Sequence, residues 1–116
     1  MTMQNLSPAD VAKRLERTEI VLIDVREPQE YAAERIHGAL LFPMSTFDPS
    51  QLPDDGKKPI VFQCGSGMRS AKAVAACAAA GLPHDAHLAG GIQAWKAAGL
   101  PTISVDPATG RVIDRR

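Results

Sequence analysis

The run Ile60-Val61-Phe62-Gln63-Cys64-Gly65-Ser66-Gly67-Met68-Arg69-Ser70 passes from continuous apolar residues, through a glycine-containing loop, into an alanine-rich segment that continues to about Ala80. Apolar, β-branched residues without polar alternation suit a strand covered on both faces, and therefore a parallel sheet. The alanines favour a helix, which Gly81 and Pro83 would stop. A strand leading through a short glycine loop into a helix is the unit of an open α/β sheet, and in such sheets ligands sit beyond the carboxyl ends of the strands. Cys64 falls at that edge.

The same unit recurs on either side. Ser7-Pro8-Ala9-Asp10 reads as a helix start, with Ser7 as N-cap, Pro8 in the first turn and Asp10 able to reach back; Val11 and Leu15 share the apolar face. Ile20 to Ile23 is a second buried-type strand, Pro28 opens a helix through Ala33, and Ala39 to Phe42 is a further buried strand stopped by Pro43. Asp48-Pro49 caps one more helical turn, and Pro53 to Pro59 is turn chemistry leading into Ile60. Ala86-His87-Leu88 is a short strand, Gly90-Gly91 a turn, and Ile92 to Ala98 a helix ended by Gly99 and Pro101. In the tail, Ile103-Ser104-Val105 and Arg111-Val112-Ile113 flank a turn-rich spacer compatible with a small hairpin.

The chain has 116 residues, 45% of them hydrophobic, which suits one domain with a real core. Thirteen Lys+Arg balance thirteen Asp+Glu without a basic stripe, which excludes nucleic acid or an anionic membrane as the main partner. The N-terminus carries no secretory pattern and no apolar run reaches a membrane span, so a cytoplasmic location is expected. Two cysteines, Cys64 and Cys77, are too few for a disulfide scaffold.

Gly65 and Gly67 let the backbone curl, so that successive amides from about Gly65 to Ser70 can converge on one centre. These amides and the helix dipole favour a thiolate over a thiol whose ordinary pKa is ~8.5, and Arg69 adds the loop's formal charge. Cys64 is thus a candidate nucleophile, against the plain alternative of a small buried hydrophobe ending a strand. Arg69 can bind an anionic donor or tie the loop to a carboxylate; Ser70 can cap the helix. Asp24 ends a strand on the same edge, where it can orient the loop or pair with Arg26, and Glu30, four residues on, belongs with Arg26 by spacing. Ser70 stands where a dinucleotide fingerprint needs its third glycine, and no Gly-Lys-Ser/Thr ending supports a nucleotide loop. His84, Asp85 and His87 lack a further ligand cluster, so neither metal nor cofactor is expected. Cys77, in mid-helix, reads as core, as do Tyr31 and Trp95.

Cys64-Gly65-Ser66-Gly67-Met68-Arg69-Ser70 resembles the active loop of single-domain rhodaneses. Ile23-Asp24-Val25-Arg26-Glu27-Pro28-Gln29-Glu30-Tyr31 resembles that family's first signature and Ile36-His37-Gly38-Ala39 its second. Leu88 to Pro101, with Gly90-Gly91-Ile92-Gln93-Ala94-Trp95, is similar to its C-terminal signature. The resemblance implies a rhodanese-like α/β domain over residues 1–103, with a central, mainly parallel five-stranded sheet flanked by helices on both faces, and residues 104–116 as a tail. It implies a sulfurtransferase in which Cys64 carries a persulfide, the loop Gly65, Ser66, Gly67, Met68, Arg69, Ser70 binds the substrate, and Asp24 and Arg26 support it. Donors would be thiosulfate or a persulfide; acceptors would be cyanide, a thiol or a protein. The loop carries Gly65, Ser66 and Met68 where thiosulfate-using members often have more basic residues. Related phosphatases have five residues between cysteine and arginine, whereas four separate Cys64 from Arg69. Some members are non-catalytic binding modules, and these commonly lack the cysteine.

Overall fold

The computed structural model describes residues 2–116. Its main sheet is parallel throughout, in the order β1 (Gln4–Leu6), β6 (Ala86–Leu88), β5 (Ile60–Gln63), β2 (Val21–Asp24), β4 (Leu40–Leu41). A second, antiparallel sheet joins β3 (Glu34–Arg35), β7 (Ile103–Val105) and β8 (Val112–Asp114). Helices α1 (Pro8–Glu16), α2 (Pro28–Ala33), α3 (Met68–Ala79) and α4 (Gly91–Ala97) connect them.

The continuous apolar runs occupy the middle of the main sheet, where both faces are covered. Val21 to Asp24 pair with Ile60 to Gln63 in register, and β5 is buried at every position. On one face Leu22, Val61 and Leu88 pack with Val11 of α1 and with Ile92 and Trp95 of α4; on the other Ile23, Ile60 and Phe62 pack with Ala73, Val74 and Cys77 of α3. Two cores back to back, separated by one sheet, are what a doubly covered parallel sheet requires.

The edges differ from the expectation. β4 is shorter than the Ala39–Phe42 run, and Leu40 is 46% exposed because the strand lies at the sheet margin. β1 occupies the opposite margin, where Gln4 and Asn5 face solvent and only Leu6 is buried; an edge strand needs little apolar content, so its sequence carries no strand signal. At α1 the Ser7 hydroxyl accepts from the Asp10 amide as the cap pattern requires, but the Asp10 carboxylate faces Arg14 one turn on, at 3.5 Å. Asp48 caps a single 3-10 turn, Pro49–Gln51.

From β2 the chain moves outward to β4, then returns to β5 on the opposite side of β2. The connections therefore diverge between β2 and β5, α2 following one and α3 the other. Such a reversal opens a crevice at the carboxyl ends of the two strands. Cys64 is the first residue beyond β5 at that point.

Candidate active site

The loop that leads from Cys64 into α3 folds back over its sulfur. The Gly67 amide donates to Sγ at 3.1 Å, and the Ser70 Oγ lies 3.5 Å from Sγ. Burial alone pushes the Cys64 thiol up, but the hydroxyl of Ser70 and the amides of Ser70, Gly67 and Ser66 together outweigh it and bring the thiol below its ordinary value. Of the amides from Gly65 to Ser70 expected to converge on the sulfur, that of Gly67 makes the hydrogen bond to Sγ. Cys64 has 0% of its surface exposed. Two surface grooves, of about 500 Å³ near Lys57 and His84 and about 660 Å³ beside Trp95 and Leu100, do not include Cys64.

The loop is fastened from behind by the start of α4. Ile92 N–H donates to the Cys64 carbonyl at 2.8 Å, and Gln93 N–H to that of Gly65 at 3.1 Å. Backbone meets backbone so closely that a Cβ on Gly91 would lie 2.2 Å from the Cys64 carbonyl oxygen, and Gly91 also has φ +61°. No other residue type fits there. Gly91 was legible only as half of a turn; its role comes from the approach of two loops distant in sequence.

Arg69 turns toward α2. Its Nη1 donates to Glu30 Oε1 at 2.6 Å and its Nη2 to Oε2 at 3.1 Å, a two-pronged pair across the crevice. The Arg69 guanidinium holds the Glu30 carboxyl down to about 2, against its ordinary 4.5. Glu30 thus belongs to Arg69 and not, as its spacing suggested, to Arg26. Arg26 is itself buried and bonds Asp24 through Nε and Nη2, with Nη2 to Oδ2 at 2.9 Å, while its amide donates to Asp24 Oδ1 at 2.9 Å and Nη2 reaches the Glu34 carbonyl at 2.6 Å. Asp24 and Arg26 therefore tie the end of β2 to β3 beside the loop. Met68 begins α3 and is 72% exposed at the surface. Cys77 is a free, buried thiol in the α3 core, its pKa raised by burial.

Two residues that the sequence did not single out for the site, His87 and Asn5, stand close by. His87 of β6 has Nδ1 2.7 Å from Ser70 Oγ and Nε2 2.7 Å from Asn5 Oδ1 of β1. The available signal was a polar ring within a strand otherwise covered on both faces, since a buried polar group needs partners. His84 lies at the other end of β6 and faces Asp54 at 3.5 Å. Among the described residues no group of three or more His, Cys, Asp or Glu is placed to hold a metal. None of the described helices is long and apolar enough to cross a membrane.

Known proteins share this outline. The rhodanese-like domain family matches residues 7–98. An uncharacterized protein of Synechocystis is 38% identical over 92% of the chain, and the chain spans 60% of that relative's length. A sulfurtransferase of Allochromatium vinosum is 34% identical over 88% of this chain and 96% of its own. Among solved structures, the rhodanese-like domain of an Anabaena protein matches 100% of this chain and 95% of its own, with 27% identity and a TM-score of 0.75.

Proposed function

The chain belongs to the rhodanese-like domain family, and on that footing we propose that it is a sulfurtransferase whose carrier is Cys64. The observation that carries this reading is the convergence of the Gly67 amide and Ser70 on Sγ, which favours the thiolate. The thiolate attacks the outer sulfur of thiosulfate or of a persulfide. The donor's S–S bond breaks with its electron pair leaving on sulfite or a thiolate, and Cys64 keeps the sulfur as a persulfide. Gly67 and its neighbouring amides stabilise the charge as an oxyanion hole does for oxygen. Cyanide, a small thiol or a protein thiolate then takes the terminal sulfur and leaves Cys64 as thiolate, a two-step exchange. Gly65, Ser66 and Met68 belong to the loop that would receive the donor, Arg69, tied to Glu30, holds that loop against α2, and Asp24 and Arg26 brace the neighbouring turn. A sulfur atom fits a cradle with four residues between Cys64 and Arg69 better than a tetrahedral phosphoryl group does. The persulfide chemistry suits a reducing cytoplasm, where Cys64 stays free of disulfides.

Intact mass after incubation with thiosulfate, then cyanide, tests the reading on the wild type and Cys64→Ser. Gain of one sulfur on the wild type alone, lost to cyanide, is the expected result. No adduct with thiosulfate but one with a persulfide donor keeps the carrier and changes its donor. No adduct with either overturns catalysis and leaves a rhodanese-like binding module.

A further inference from the structure

Behind Cys64 and Ser70 the hydrogen bonding continues to His87 and Asn5, which the sulfur-transfer steps themselves do not use. Sγ of Cys64 lies 3.5 Å from Ser70 Oγ, Ser70 Oγ 2.7 Å from His87 Nδ1, and His87 Nε2 2.7 Å from Asn5 Oδ1. Cys64 and Ser70 are fully buried and His87 is 4% exposed, whereas Asn5 reaches the surface at the sheet edge. β6, α3 and β1 each contribute one member, and the end of β5 contributes Cys64.

The donor and acceptor chemistry gives this chain a direction. An amide oxygen only accepts, so Nε2 of His87 carries a proton and donates to Asn5. In the neutral ring Nδ1 is then a bare acceptor. The Ser70 hydroxyl has a single proton and two acceptors in range, Nδ1 at 2.7 Å and the Gly67 carbonyl at 3.2 Å, and the shorter bond goes to His87. With its proton turned to His87, Ser70 offers Cys64 a lone pair and can accept the thiol S–H. A thiolate needs the reverse, a Ser70 proton pointing at sulfur.

We propose that His87 is a positioning residue for Cys64, taking up the thiol proton through Ser70 when the thiolate forms and returning it when the thiol is restored. The S–H bond breaks as an O–H bond forms on Ser70, whose original proton passes to Nδ1 of His87. The products are a thiolate accepting from Ser70 and an imidazolium donating from both nitrogens, with no other reactant and no change of net charge. The role in turnover rests on Cys64 being the sulfur carrier proposed above. Burial holds His87 below the ordinary histidine value, so the resting ring is neutral and Nδ1 is free to accept. Around His87 the groups brought by the packed elements are Asn5 from β1, Ser70 from α3 and Cys64 from the end of β5, and of these only Cys64 is a titratable group.

Nuclear magnetic resonance of the His87 ring across pH, on the full chain, tests the coupling without requiring turnover. In the wild type His87 should hold its proton at least tenfold more tightly than in Cys64→Ser, where no thiolate stands at the other end. Ser70→Ala should abolish that difference and Ser70→Thr, which keeps a hydroxyl, should restore it. Equal titration in wild type and Cys64→Ser, or coupling that survives Ser70→Ala, overturns the relay. Sulfur loading measured by intact mass on the same samples separates the two readings. Loading with uncoupled titration removes the relay and leaves the carrier; coupled titration without loading removes the carrier and leaves a proton path alone.

Discussion

Gly91 shows how one atom can govern the loop. A Cβ there would stand 2.2 Å from the Cys64 carbonyl oxygen, which accepts the Ile92 amide, so Gly91→Ala must push α4 off the loop. The expected cost is about 2–3 kcal/mol in urea unfolding, with sulfur loading of Cys64 strongly reduced. Unchanged stability and loading would show that the two backbones separate freely. Gln63 presents the opposite case. Its side-chain Nε2 and Oε1 are buried without a hydrogen-bond partner among the described residues. Gln63→Met keeps the shape and removes that desolvation penalty, so it should raise stability by about 1–2 kcal/mol; a lower thermal midpoint would overturn this. Cys64 was legible from its neighbours in sequence. Gly91, His87 and Asn5 were not, because their partners lie far along the chain and meet only once β1, β5 and β6 are side by side.

At the scale of elements, three helices end in the same way. After α1, α3 and α4 an amide beyond the cap returns to the last turn: Glu19 to Arg14, Leu82 to Cys77 and Leu100 to Trp95. This closure needs a left-handed residue just past the cap. Gly81 and Gly99 supply it after α3 and α4, but after α1 the position is Thr18, with φ 55°. A β-branched residue is strained there, so Thr18→Gly should stabilise the protein by about 1 kcal/mol in thermal or urea unfolding. A loss of stability would mean that the Thr18 hydroxyl bond to the Arg17 carbonyl outweighs the strain.

The clasp between α2 and α3 has its own pH signature. Glu30 has an ordinary value of 4.5 when unfolded and about 2 beside Arg69, so its contribution is complete above 4.5 and is lost as pH falls toward about 2. Glu30→Gln should flatten the fall in urea midpoint across that window. Equal slopes in wild type and variant would place the acid sensitivity elsewhere.

For the whole molecule the question is what the tail adds. β8 pairs with β7, which pairs with β3, and Arg115 N–H donates to the Thr102 carbonyl. None of the three strands contributes a hydrogen bond to Cys64, and Ile113 is only half-buried. A chain ending at Val105 should therefore lose about 1–2 kcal/mol of stability yet load sulfur at the wild-type extent. Loss of loading in a folded, truncated chain would tie the small sheet to the site, through the Glu34 carbonyl that Arg26 holds.

By itself the sequence determined the α/β class, the central strands and the place of Cys64 at the end of one of them. These come from local composition: apolar runs make covered strands, alanines and caps make helices, and glycines make the loop between. Tertiary structure alone decided the margins and the partners. β1 and β4 are edge strands with little apolar content buried, and β3 is short enough to exist only by pairing with β7. Arg69 meets Glu30 and Ser70 meets His87 because the reversal of strand order brings α2, α3 and β6 around one crevice. Pairings over such separations depend on which strands become neighbours, and residue spacing along the chain carries no record of that.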